Sequence, residues 1–166
     1  GFEGGDRTHL NLPQTQQDLV KAIKSAGKPT ILVLLNGSAV AVNWENENLD
    51  AIISAGYPGQ EGGNAVADVL FGDYNPSGKL PMTFPREEGQ IPIYYNHFNT
   101  GRPSINDNKI YKSAYIDLPN SPKFAFGFGL SYTTFDYTDL KLSKSKMKVN
   151  EAIEVSLTIK NTGGFS

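Results

Sequence analysis

The sequence predicts an α/β domain, a partial parallel sheet with helices against it, that passes into the first strands of an all-β sandwich. Three observations carry this. Between residues 13 and 72 apolar runs of strand length alternate with segments of helical period, the grammar of a parallel sheet. From Asp73 to about residue 130 prolines, glycines and aromatics replace that alternation. Beyond residue 131 the pattern turns to strict period two, which marks half-buried antiparallel strands.

The elements follow in order. Pro13 stands where a first helical residue tolerates a missing N–H, and Leu19, Val20, Ile23 and Ala26 recur at helical spacing until Gly27, so one amphipathic helix is expected. Pro29 restarts the chain, and Thr30 to Asn36 is an unbroken β-favouring apolar run, read as a buried parallel strand. Gly37-Ser38 punctuates it. Ala39 to Val42 reads as a short strand or a helical turn, and Ala51 to Gly56 as another strand. Gly59-Gln60-Glu61-Gly62-Gly63 leads into Asn64 to Phe71, whose Ala65, Val66, Val69 and Leu70 share a helical face, and Gly72 stops it.

Tyr74-Asn75-Pro76-Ser77-Gly78 is a turn, and Leu80 to Pro85 is extended between its prolines. Residues 86–130 read as a long ordered loop whose aromatics require packing partners. Phe135-Asp136-Tyr137 and Leu140-Lys141-Leu142 alternate in opposite phase, which predicts a strand with a bulge. Ile153, Val155, Leu157 and Ile159 alternate with polar residues, the second strand of a β-sandwich. The expected organisation is 1–95 α/β, 96–130 ordered linker and 131–166 β-sandwich. A glycine-rich start without Met and a turn directly after the last strand pattern read as a fragment of a longer polypeptide. An open sheet edge and an uncovered apolar strand face predict chain association, a homo-oligomer among the forms expected.

Composition narrows the function. With 15 Lys+Arg against 17 Asp+Glu and a net charge of −2, no basic field exists for nucleic acid or an anionic membrane. Ile31 to Leu35 is the longest apolar stretch, about a quarter of the roughly 20 residues a bilayer span needs. Cysteine is absent, and His9 and His97 have no ligand spacing, so neither a cysteine nucleophile nor a metal site is expected. The glycines at 59–63 lack the Gly-Lys-Ser/Thr of a phosphate loop and the G-x-G-x-x-G spacing. A close strand-to-helix turn accounts for them, with Glu61 favouring the helix N-terminus, and a nucleotide or other cofactor is not expected.

Carboxylates and aromatics remain, the residue types of glycoside chemistry: two carboxyl groups across a scissile bond and flat rings for sugar faces. Glu3 lies beside Phe2 and two glycines and close to Asp6-Arg7. It reads either as a solvated surface carboxylate or as an acid tuned by its ring and its Arg, which pull in opposite directions. Trp44, the one tryptophan, reads as core beside Val42 or as a sugar platform.

The stretch Tyr57 to Pro81 (YPGQEGGNAVADVLFGDYNPSGKLP) resembles the signature of the C-terminal α/β sandwich of glycoside hydrolase family 3. Phe126 to Thr133 (FGFGLSYT) resembles the passage of that family into its fibronectin type III-like domain, and Asn96 to Arg102 (NHFNTGR) is similar to the periplasmic β-glucosidase branch. The resemblance implies the C-terminal part of a retaining exo-β-glycosidase, built as a (β/α)₈ barrel, an α/β sandwich and a fibronectin type III-like sandwich. Its substrate would be a β-linked oligosaccharide or glucoside, and its location periplasmic or secreted. The barrel Asp that acts as nucleophile has no counterpart here. The acid/base Glu precedes an Asp-Arg and a Leu-Pro element, here Asp6-Arg7 and Leu12-Pro13, which makes Glu3 the candidate general acid/base; the alternative is a Glu upstream of Gly1. A β-xylosidase of the same family and a non-catalytic carbohydrate-binding or structural module are the rival readings.

Overall fold

The computed structural model describes residues 7–103 and 111–165. Two compact units divide the chain, one of residues 1–66 and 79–128, the other of 67–78 and 129–166.

The first unit opens with helix α1 (Gln14–Ser25). It ends as its glycine dictates: Gly27 adopts φ +69° and its N–H reaches the Lys24 carbonyl at 3.0 Å, a left-handed stop that a side chain would strain. Strand β1 (Ile31–Leu34) pairs in parallel with strand β2 (Ala51–Ser54), Ile31 opposite Ala51 and Leu34 opposite Ser54. Asp50 fastens this crossover. It accepts bonds from the Lys24 ammonium and the Thr30 N–H, both at 2.8 Å, and these partners, Lys24 first, hold its carboxyl below the usual range.

The core sits beside the sheet. Leu34, Val40 and Val42 are buried and gather Leu12, Leu32, Ile52 and Phe124 around them. Ala39 to Val42 is neither a strand nor a helical turn. It is irregular chain joined to its neighbour by a single parallel bridge, Asn11 to Ala41, yet Val40 and Val42 are the largest fully buried side chains among the described residues. β1 is less buried than its apolar run predicts: only Leu34 is fully covered, and Ile31 is half exposed. Among the described residues β1 has one strand neighbour, β2, so much of its surface has no sheet beside it.

A helix that the sequence does not announce, α2 (Asn43–Asn48, NWENEN), separates the strands. Three of its six residues are Asn, a poor helix former, and it has no apolar period. Local and tertiary bonds form it instead: Asn48 Nδ2 donates to the Trp44 carbonyl at 2.8 Å, and Asn43 Nδ2 to the Arg86 carbonyl at 2.7 Å. Helix α3 (Gly62–Phe71) starts two residues earlier than its apolar period does and ends at Gly72, φ +83°.

Leu80 to Pro85 is extended because it has a partner. The Leu80 N–H donates to the Phe128 carbonyl at 2.9 Å and the Leu80 carbonyl accepts the Gly127 N–H at 2.8 Å, while Phe84 and Phe124 exchange backbone bonds at 2.8 and 3.2 Å, so residues 80–84 run against 124–128. A 3₁₀ turn (Glu88–Gln90) follows. Gln90 is buried within it; its Oε1 accepts the Arg86 N–H at 2.6 Å, and its Nε2 donates to the Pro119 and Ser121 carbonyls at 3.0 and 3.2 Å. The aromatics of the loop pack only in part. Tyr95 stacks on Phe126 and Phe124 on Phe128, while Phe98 stands almost fully exposed.

The second unit is an antiparallel pair, β3 (Phe135–Leu142) with β4 (Val155–Asn161). The register shifts between Thr138 and Lys141, with Asp139 at φ +55°; this is the bulge that the phase reversal predicts. β4 begins at Val155, so Ile153 lies before the ladder. All side chains of both strands are exposed. Asn75 anchors the approach to β3, its Oδ1 accepting the Tyr132 N–H at 2.8 Å and its Nδ2 donating to Ser131 Oγ at 3.0 Å.

Leu34→Ala, in the first unit's core, is expected to lower stability by about 2–5 kcal/mol. Leu35→Ala, one residue on and mostly exposed, should change it by less than about 0.5 kcal/mol. Urea unfolding of the two variants side by side checks the placement of the core.

Candidate functional site

Glu3 and Asp6 lie outside the described residues. The chain that follows them is described, and it is held at several points. Arg7 Nη2 donates to Ser38 Oγ at 3.1 Å, just beyond the end of β1. The Leu10 carbonyl accepts the Ala41 N–H at 3.0 Å, and Asn11 bridges Ala41. The Leu10 N–H donates to Glu88 Oε1 at 2.7 Å, and His9 Nδ1 stands 3.6 Å from the same oxygen. The segment between the Asp-Arg and Leu-Pro elements is therefore strapped to the buried Val40–Val42 chain on one side and to the 3₁₀ turn on the other.

Glu88 supplies the carboxylate of this arrangement. The Leu10 N–H and its own backbone N–H are the leading causes that hold its carboxyl below the usual range, with His9 adding to them. A backbone N–H stabilises the ionised form of a carboxylate that accepts from it. Sequence reasoning did not single out Glu88. The pair Glu87-Glu88 looks like any solvated acidic step in a loop, and the partner at Leu10 is 78 residues away.

Two open clefts flank the turn. One of about 640 Å³ is lined by Asn43, Arg86, Glu87, Gly89, Tyr115 and others. Its neighbour, about 420 Å³, includes Gln90, Tyr94, His97, Tyr115 and Asn120. The Tyr115 hydroxyl donates to the Gly89 carbonyl at 3.1 Å, so this ring is fixed between them.

The other residues raised by the sequence fall as follows. Glu61 accepts from Asn64 Nδ2 at 2.7 Å while its carbonyl receives the Ala65 N–H, a local role at the start of α3. Trp44 is not core: it is half-buried on α2 with the Lys21 ammonium 5.5 Å above its ring, a cation–π pairing. His97 is exposed and its Nδ1 lies 2.9 Å from the Tyr94 carbonyl. His9 is likewise exposed, facing Glu88. Gly37, between Asn36 and Ser38, has the Tyr57 ring where a Cβ would go, a close approach that only glycine permits. Among the described residues no group of three His, Asp or Glu gathers as a metal would require, and no helix is long and apolar enough to cross a membrane.

Comparison with known proteins gives a consistent picture. The family model described as the glycosyl hydrolase family 3 C-terminal domain matches residues 1–132. A periplasmic β-glucosidase of Salmonella typhimurium is 52% identical over 163 residues, covering 97% of this chain and 21% of its own length. A xylan 1,4-β-xylosidase of Xylanibacter ruminicola is 46% identical, covering 98% of this chain and 17% of its own. The solved structure of a β-glucosidase from Listeria innocua in complex with isofagomine superposes with a TM-score of 0.90 at 42% identity, over 97% of this chain and 23% of that one. The chain thus spans about a fifth of the length of the relatives it matches.

The Glu88 bond predicts a pH response. A carboxylate whose folded pKa is depressed contributes stability above its unfolded value, and that contribution is lost as pH falls through the folded value. Protection of the Leu10 amide against hydrogen exchange is therefore expected to be full near neutrality and to fall only as the pH drops below the usual glutamate range, through the lowered value of Glu88. In Glu88→Gln, which accepts the same N–H without a charge, protection should be flat across that range.

Proposed function

The chain belongs to glycosyl hydrolase family 3 through its C-terminal domain, and on that premise we propose that it forms the acid/base-bearing part of a retaining, exo-acting β-glycosidase that removes terminal non-reducing β-D-glucosyl residues. The observation that carries this reading is the 52% identity over nearly the whole chain to a protein named a periplasmic β-glucosidase. That name also supports a periplasmic or secreted location. The 46% identity to a xylan 1,4-β-xylosidase favours a second reading in which the sugar removed is xylose.

Glu3 is proposed as the general acid/base. It precedes Asp6-Arg7 and Leu12-Pro13 as the family pattern requires. In the double displacement that follows, a carboxylate supplied by another part of the polypeptide attacks the anomeric carbon while Glu3 protonates the departing oxygen. Glu3 then takes a proton from the water that releases the sugar, with the two carboxyls about 5–5.5 Å apart. The proposed organisation is 1–95 α/β sandwich, 96–130 ordered linker and 131–166 start of the fibronectin type III-like domain. The end of the family match at residue 132 and the start of β3 at Phe135 support the second boundary.

Glu3→Ala in the full polypeptide that carries this chain is expected to lower kcat/KM on a methyl β-glucoside by about 10²–10⁴-fold, the usual range for loss of a general acid. Undiminished turnover would remove Glu3 from the mechanism. The 166-residue chain alone is expected to be silent on an aryl β-glucoside, since half a carboxyl pair completes neither step. Isothermal titration of it with gluco- and xylo-oligosaccharides separates this reading from a stand-alone binding module, which would bind them.

A further inference from the structure

Charge is nearly balanced over the whole chain, but it is not evenly spread. Residues 141–154 hold four lysines and two glutamates, so this stretch is basic while the rest of the chain is acidic. It comprises the end of β3 and the segment that carries the chain back to β4. Lys144, Lys146 and Lys148 alternate there with Ser145, Met147 and Val149. Met147 is 51% exposed and Val149 91%, and Lys141, Lys146 and Lys148 are exposed with them.

One carboxylate builds this tip. Glu151 Oε2 accepts from the Lys144 ammonium and from the Lys148 N–H, both at 3.1 Å, and the Glu151 N–H returns to the Lys148 carbonyl at 3.1 Å. Asn150, at φ +73°, lies in the turn between them. Ser143 and Glu154 close the neck: the Ser143 N–H donates to the Glu154 carbonyl at 2.9 Å, and the Glu154 N–H to Ser143 Oγ at 3.0 Å. Glu151 is thus engaged by Lys144 and the backbone, and the outward charges of the tip are those of Lys141, Lys146 and Lys148.

Lysines alone would suit any polyanion. Apolar side chains set among them suit one kind of surface best, a bilayer with anionic headgroups, where the ammoniums meet the negative charge and the apolar groups reach the acyl boundary. Lysine stems can follow them, lying along apolar surface while the charged heads stay in water.

We propose that the tip between β3 and β4 is a docking surface for an anionic phospholipid bilayer, with Lys141, Lys146 and Lys148 on the headgroups and Met147 and Val149 at the acyl boundary. Such binding is peripheral and reversible. Each lysine near the surface contributes about fivefold to it, and salt screens the attraction. The absence of a basic field, read from the composition of the chain as a whole, does not hold for this tip. The proposal is independent of Glu3 and of the glycosidase reading.

The test is sedimentation of the full polypeptide that carries this chain with vesicles of phosphatidylcholine alone and of phosphatidylcholine mixed with phosphatidylglycerol. Binding is expected to the mixed vesicles only, and to fall as salt is added. Lys146→Ser combined with Lys148→Ser should weaken it about twenty-fold, whereas Lys146→Arg combined with Lys148→Arg, which keeps both charges, should bind as the unsubstituted protein does. Met147→Ser combined with Val149→Ser should weaken vesicle binding while leaving any binding to dextran sulfate, a polyanion with no apolar phase, as it was. No binding to the mixed vesicles, or equal binding to both kinds, would overturn the proposal. So would a Met147→Ser, Val149→Ser variant that binds the mixed vesicles undiminished, a result that assigns the tip to a soluble polyanion instead.

Discussion

Leu10 is bonded through both of its backbone groups to parts of the chain remote from it in sequence, its carbonyl to Ala41 and its N–H to Glu88. A residue so placed loses little by leaving water, since both of its backbone polar groups are satisfied. The rest of the first unit is arranged about that stitch. On the Ala41 side it leads into the most deeply buried side chains, Val40 and Val42, and on the Glu88 side into the turn that Gln90 braces. A segment with no regular secondary structure of its own thus has definite neighbours on two sides.

Much of the fold was legible where local rules decide it. Helix α1 with its stop at Gly27, the two parallel strands, the stop at Gly72 and the bulged antiparallel pair all follow from period, glycine and phase. The rest depends on partners that no window of sequence contains. α2 forms without a helical period, held by bonds from its Asn side chains, one of them to Arg86. Val40 and Val42 looked like an ambiguous apolar scrap and are the heart of the core. Trp44, the obvious core residue by size, is drawn to the surface side of α2 where a lysine covers it.

The candidate site was legible to a different degree. Its family resemblance could be read from Tyr57 to Pro81 and from the motifs nearer the end, and this made Glu3 the candidate acid/base by its neighbours Asp6-Arg7 and Leu12-Pro13. Glu88 carried no such mark. An acidic pair in a turn is the commonest sort of surface, and only the tertiary pairing with Leu10, which lowers its affinity for a proton, distinguishes it. A motif can single out a candidate residue; a tertiary contact such as that between Leu10 and Glu88, 78 residues apart, is found only from coordinates.

The buried carboxamide of Gln90 has one further implication. It clasps Ser121 across 31 residues of chain, and the neighbouring Phe84–Phe124 bridge closes the same circuit. Everything from Ile91 to Pro119 is in polymer terms a loop with a fastened neck. The entropy of closing such a loop rises only with the logarithm of its contour, about 0.6 kcal/mol for each doubling. Evolution can therefore lengthen, shorten or rewrite that excursion, and with it the rim of both clefts, while the clasp and the core behind it stay as they are.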